Sequence, residues 1–245
     1  MEIINIIILI LACIVSYLLG NVSVARLITK KKGSITNQGS GNPGTMNMLR
    51  NHGFVLGFFT LICDAIKGVI PALFGLLYFG QIDDRLGYIA LFLFGLCAVV
   101  GHIFPVFYKF KGGKGIATTF GVFMVVDPIT SLILFGISFL TLYFIKISSV
   151  VSILFISINA IVQLFREHIN TNWVVIVLMC TMVILDIVVH RQNLERLVEN
   201  RENPADLQEG FKKDIEKLKD KKQKNNEKKL GKINNKIEDK KGTAN

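Results

Sequence analysis

The stretch IINIIILILACIVSYLL, residues 3–19, decides the fold, because no charged side chain interrupts it from Ile3 to Leu19. Crossing a bilayer core takes roughly 20 apolar residues, with roughly 17 as a working minimum. A cleaved secretory signal would begin with a positive segment and end at a small-residue cleavage site. Here Glu2 precedes the run, and Arg26, Lys30, Lys31 and Lys32 follow it. The pattern predicts an uncleaved first transmembrane helix.

Further apolar runs occupy Phe54–Tyr78 (interrupted by Asp64 and Lys67), Tyr88–Phe107, Ile116–Val126, Ile129–Ile145, Val150–Phe165 and Trp173–Val189. They account for a composition that is 51% hydrophobic with a mean hydropathy of +0.49, more than a soluble chain of this size needs. Ile116–Val126 approaches spanning length only with the glycine turn before it. Asp127-Pro128 then ends it, since proline disfavours helical geometry in the residue it follows. The expected fold class is an all-α integral membrane protein with about seven transmembrane helices; a re-entrant 116–126 would leave six. Charge supplies the orientation. Arg26, Lys30, Lys31, Lys32, Arg50, Lys109, Lys111, Lys114 and Lys146 fall in alternate loops, whereas the opposite loops hold little beyond Asp83, Asp84, Arg85, Arg166 and Glu167. By the positive-inside rule the N-terminus is outside and the C-terminus cytoplasmic.

The formal charge of +10 therefore implies no nucleic-acid partner, because much of it lies in residues 211–245. That segment is rich in Lys and Asn and offers little to bury, so it reads as disordered or transiently helical. The expected division is a transmembrane domain over 1–200 and a lysine-rich tail over 201–245. Near a membrane such a tail is attracted to anionic lipid by about 1 kcal/mol per basic residue. Cys13, Cys63, Cys97 and Cys180 all lie in apolar runs without a CxxC spacing and read as small packing residues.

Three loops on the positive side carry the remaining signal: QGSGNPGTMNMLRNHG (38–53), KFKGGKG (109–115) and HRQNLERL (190–197). The GSGNPG portion meets G-x-G-x-x-G, but a dinucleotide site needs a preceding strand and a βαβ unit. GGKG is no nucleotide P-loop either, because Gly115 stands where Ser or Thr would hold magnesium. What survives is the physics of anion binding. Glycines let backbone N–H groups face an anion, a helix N-terminus adds a favourable dipole, and Arg50 offers a forked contact to phosphate. Asp64 and Lys67, three apart, share a helix face and form either a mutual ion pair or support for these loops. His190 closes the last span beside Asn193; a histidine there is a snorkelling surface group or a base. With His52, His102 and His168 the chain has no H-E-x-x-H motif and no Cys/His cluster, so no metal is expected. The absence of G-x-S-x-G argues against a serine hydrolase.

The order of SYLLGNVSVARLI (16–28), GSGNPGTMNMLR (39–50), CDAIKG (63–68), GHIFPVFYKFKGGKGIATTFG (101–121) and HRQNLERL (190–197) resembles the bacterial acyl-phosphate:glycerol-3-phosphate acyltransferases of PlsY type. The likeness runs along residues 1 to about 200 and is most specific over 101–121. It implies seven helices and transfer of an acyl group from acyl phosphate to the 1-hydroxyl of sn-glycerol 3-phosphate. The products would be lysophosphatidic acid and phosphate, with no cofactor or metal. It places Ser40, Gly41, Asn42, Gly44, Asn47, Arg50, Lys114, His190 and Asn193 around the two substrate phosphates. The same likeness links Gly112, Gly113 and Gly115 to glycerol phosphate and Ser149 to the same site. It also favours an oxygen of the donor phosphate as the acceptor of the hydroxyl proton, with His190 the alternative base. Met46 and Thr36 depart from the family's usual threonine and arginine. They favour the rival reading, a non-catalytic membrane protein that binds anionic lipid or small phosphate compounds through the same loops. A transporter would need polar groups across the bilayer midplane, whereas these gather at one face.

Overall fold

The computed structural model describes residues 2–30, 33–166, 169 and 171–242, with side chains to residue 228. The charges read at Lys31, Lys32 and Glu167, and His168, lie outside the described residues. The described residues form these α-helices: α1 (Ile3–Asn21), α2 (Val24–Thr29), α3 (Thr45–His52), α4 (Phe54–Gly80), α5 (Asp84–Ile103), α6 (Ile116–Val126), α7 (Pro128–Ile145), α8 (Ser148–Gln163), α9 (Trp173–Val189), α10 (Arg191–Val198) and α11 (Leu207–Gly242). Among the described residues, four helical stretches are long and apolar enough to cross a membrane: Ile3–Thr29, α4, Asp84–Tyr108 and α7. α9 and α10 form a fifth when taken together across a 45° bend, and α6 and α8 are shorter apolar helices. Each apolar run of the sequence is thus a helix, and the length limit separates the long ones from 116–126 and 148–163.

Local chemistry sets the breaks. Asp127 ends α6 and caps α7, accepting from Thr130 N at 3.2 Å, and Pro128 takes the first helical position, where its missing N–H costs nothing. Arg166, from the end of α8, pairs with the same Asp127 carboxylate. Asp83 caps α5 through Leu86 N at 3.1 Å. The bundle is drawn together by glycines that let backbones touch, as is usual where lipid supplies no hydrophobic force between helices. A Cβ at Gly68 of α4 would fall on Thr118 O of α6, and one at Gly121 of α6 on Ala65 O of α4. Phe92, Phe120, Phe123, Phe155, Met179 and Met182 fill the centre. Large apolar side chains such as Ile10, Leu77, Ile133, Leu140 and Ile184 face outward, as a lipid-facing surface requires. Gly121→Val is expected to destabilise the bundle by roughly 1–3 kcal/mol, the usual cost of overpacking. A lower Tm in detergent, against an unchanged Tm for Gly136→Ala, checks this, since a Cβ at Gly136 meets nothing within 4 Å.

The lysine-rich tail, read from composition as disordered or transiently helical, takes helical form here. Leu207–Gly242 is a single helix, and its first turns pack against α3 and α4. Beyond residue 200, Ala205 and Leu207 are buried, and the Glu202 side chain is only 4% exposed. Local composition reported the exposed lysines correctly but not the few residues that find partners across the bundle.

Candidate active site at the loop end of the bundle

The three motif loops meet at one end of the bundle, around a cavity of about 110 Å³. Its lining includes Ser40, Asn42, Gly44, Asn47 and Arg50 from the first loop and α3, Lys114 and Gly115 from the second, and His190 and Asn193 from the third. Asp64 and His102 also line it. Asp64 is 3% exposed, pairs with Lys67 at 2.5 Å and lies 3.8 Å from His102 Nδ1. Lys67 also donates to Val22 O at 2.6 Å, so this ion pair both ties α4 to the end of α1 and supports the site.

The glycine turn works differently from what its sequence suggests. Gly112 N–H donates to Ile103 O (3.1 Å) and Gly113 N–H to His102 O (3.0 Å), so both are spent on the terminal carbonyls of α5. They line an outer vestibule of about 540 Å³ with Gly41, Lys111 and Arg196, and not the inner cavity. Gly115 adopts φ +85°, and a Cβ there would fall on the Asp186 carboxylate. That conformation, which glycine adopts without strain, lets the chain turn into α6 and leaves Lys114 to reach inward. Arg26 holds the other side of the turn, donating to Lys111 O and stacking 4.2 Å over the Tyr108 ring.

Asn47 is likewise a builder of the loop. Its amide donates to Ile35 O (3.3 Å) and Gln38 O (2.9 Å), and its carbonyl accepts from Ser40 N (3.0 Å). At 2% exposure it shapes residues 35–40 and has no donor left for a substrate. Ser149 is buried with no hydrogen-bond partner for its Oγ among the described residues and lines neither cavity; Ser148 and Ser152 of the same helix face the site instead. Where the usual threonine hydroxyl is missing at Met46, Thr45 lines the same cavity.

One acidic residue organises the cations. Glu202, its side chain 4% exposed, accepts from Asn193 Nδ2 at 2.6 Å and from Arg196 Nε at 3.2 Å. This turns Asn193 Oδ1 toward Lys114 Nζ, which donates to it. Sequence reasoning missed Glu202, which lies outside every motif; its one signal is a carboxylate following a basic helix. Burial pushes the Lys114 ammonium down to about 8, opposed by Glu202 and assisted by Arg196 and Arg50. Burial also lowers Arg50, and its Nε has no partner among the described residues. His190, at the turn between α9 and α10, donates from Nδ1 to Asp186 O at 2.6 Å, because a carbonyl only accepts. Its Nε2 is then the acceptor nitrogen of the neutral ring. Burial, then neighbouring Lys114, push this imidazole down to about 4.

The cavity continues into an apolar groove of about 80 Å³; Thr45, Met46, Leu61, Ile116, Ala117 and Ser152 line both. Beyond them the groove is walled by Phe54, Phe58, Phe120, Phe135, Phe139 and Phe155. A cation-lined head and an aromatic-lined extension suit an amphiphile whose anionic end is bound at the loops.

Residues 10–200 match the family model described as glycerol-3-phosphate acyltransferase. Glycerol-3-phosphate acyltransferase 2 of Bacillus anthracis is 37% identical over 196 residues, which cover 79% of this chain and 97% of that protein. The glycerol-3-phosphate acyltransferase of Aquifex aeolicus is 38% identical over 197 residues, 78% of this chain and 95% of that one. Among solved structures, the glycerol 3-phosphate form of PlsY, an integral membrane glycerol 3-phosphate acyltransferase, superposes with a TM-score of 0.72 at 34% identity, covering 80% of this chain and 94% of that one. Its lysophosphatidic acid form gives 0.72 at 32% identity, covering 83% and 98%.

Proposed function

We infer the chemistry of this site from one premise: the chain belongs to the glycerol-3-phosphate acyltransferase family. It is an integral membrane enzyme that acylates glycerol 3-phosphate to lysophosphatidic acid. The acyl donor in this reading is an acyl phosphate. The observation that carries it is the continuity of the cation-lined cavity with the aromatic groove, across Met46 and Ser152. The donor's chain lies in the groove, and its phosphate shares the cavity with the phosphate of glycerol 3-phosphate.

Two phosphates repel unless cations and donors neutralise them, and Arg50 and Lys114, which line the cavity, supply that charge in a preorganised site. An acyl phosphate is a mixed anhydride, so its carbonyl is already activated. The 1-hydroxyl oxygen bonds to the carbonyl carbon, the carbon–oxygen bond to phosphate breaks, and phosphate leaves with the electron pair. The hydroxyl proton goes to an oxygen of that phosphate. His190 is the alternative acceptor, but its Nδ1 donates to the backbone carbonyl of Asp186 and not to a carboxylate that would raise its basicity. His190, Asn193 and Ser40 hold the leaving phosphate.

The test is a phosphate-release assay on the purified protein with palmitoyl phosphate and glycerol 3-phosphate. Release should depend on both substrates and match the lysophosphatidic acid formed. Release that ignored glycerol 3-phosphate, or acylation from acyl-CoA but not from acyl phosphate, would overturn this reading.

A further inference from the structure

Residues 205–217 lie beyond the 10–200 stretch that matches the family, yet Leu207 among them is part of the groove's wall and its neighbours pack on the helices around it. Leu207 is 3% exposed and lines the apolar groove, packed with Leu49, Leu142, Val151 and Ala205. The entry to α11 is anchored on the turn between α7 and α8. Ala205 N–H donates to Lys146 O at 2.8 Å, and the Asp206 carboxylate pairs with Lys146 Nζ at 2.6 Å. Asp206 also caps α11, accepting from Gln208 N at 2.9 Å and Glu209 N at 3.2 Å. One turn on, the Phe211 ring stacks 4.0 Å from that of Phe54, itself a groove residue.

The next turn of α11 clamps the junction of α3 and α4. Asp214 accepts from Val55 N at 2.8 Å, at the start of α4. Lys213 donates to Arg50 O at 2.5 Å and Lys217 to His52 O, at the end of α3. The signs match the helix dipoles, a carboxylate at an N-terminus and ammoniums at a C-terminus. A solvated tail would not bury a leucine, and a tail serving only lipid would not spend these lysines on protein carbonyls.

We propose that residues 205–217 form the roof of the acyl groove and determine which acyl donors this enzyme accepts. The proposal rests on the acyl-phosphate reading above. Leu207 is wall, so its volume subtracts from the space open to the chain, while the clamp fixes α3, which carries Met46 at the junction of groove and cavity and Arg50 in the cavity.

The experiment measures kcat/KM of the full-length enzyme for decanoyl and hexadecanoyl phosphate, and KM for glycerol 3-phosphate, in wild type, Leu207→Trp, Leu207→Ala and Leu207→Met. Leu207→Trp should shift the ratio toward decanoyl phosphate by about tenfold or more, the discrimination a hydrophobic pocket gives for small changes of volume. Leu207→Ala should move the ratio the other way, and the volume-conserving Leu207→Met should keep it. The KM for glycerol 3-phosphate should stay within about twofold throughout, since its phosphate meets only the cavity. Equal loss on both donors, or a glycerol 3-phosphate KM that moves with the donor's, would overturn the roof. So would an unchanged ratio in both Leu207→Trp and Leu207→Ala. A wild-type enzyme that used neither acyl phosphate would overturn the underlying reading and the roof with it.

Discussion

Lys114→Ala is expected to cost about 2–4 kcal/mol of transition-state stabilisation, the range for deleting a preorganised electrostatic partner. Lys114 is the cation that the glycine turn delivers into the cavity, hydrogen-bonded to Asn193 and faced by the Glu202 network. Removing it leaves two substrate phosphates opposed by one fewer charge in a buried site. The pH profile carries the same signature. Burial has moved the ammonium from 10.5 down to about 8, so it is charged below that pH and is lost as pH rises through it. kcat/KM for glycerol 3-phosphate should therefore fall above about pH 8 in the free enzyme. A bound phosphate favours the charged form, so the corresponding limb of kcat should lie higher. Lys114→Arg, which stays protonated at every working pH, should remove the limb from kcat/KM. Lys109→Ala should leave the rate close to wild type, because that side chain lines neither the cavity nor the vestibule. Equal damage from Lys109→Ala and Lys114→Ala would show that surface charge is being measured and not a site.

His190→Ala is expected to fall well below His190→Gln. If the donor's phosphate takes the proton, the histidine serves as a hydrogen-bond donor, and a glutamine amide keeps part of that contact. That role requires the imidazolium, which a phosphate bound beside it would favour, because the neutral ring spends its single N–H on Asp186 O. Nδ1 stays on Asp186 O in both states. The glutamine variant should also retain the basic limb that Lys114 sets. Were His190 the base, both variants would drop together by the roughly 10²–10⁴ typical of general-base loss. The limb reporting imidazole ionisation would then vanish from both. The pH dependence of kcat/KM for the two variants, with equal insertion checked by expression in the membrane fraction, separates these outcomes.

Much of the site was legible because its residue types are rare in a membrane chain. Arginine, lysine, histidine and asparagine are costly at membrane depth, so their collection into three loops marked one face. Hydrogen-bond partners were not legible. The glycines of GGKG advertised N–H groups for a phosphate, but the end of α5 lies across from them and takes two. Asn47 had the chemistry of a substrate ligand and is consumed in folding its own loop. The partner of His190 Nδ1 is the backbone carbonyl of Asp186, a group every residue carries and no motif can flag.

Sequence by itself determined the helical membrane class, the break at Asp127-Pro128 and the inventory of the three loops. These follow from local properties: the length of an apolar run, the geometry proline imposes on its neighbour, and the cost of burying charge. Only the tertiary structure decided that Glu202 gathers Asn193 and Arg196, that Ser148 and Ser152 line the cavity while Ser149 does not, and that Leu207 of α11 lines the groove. Each of these depends on what stands opposite a side chain after helices distant in sequence have packed. A lysine-rich segment has little apolar surface to announce where it docks, and here a leucine, a phenylalanine and an aspartate did so by meeting α3, α4 and α7.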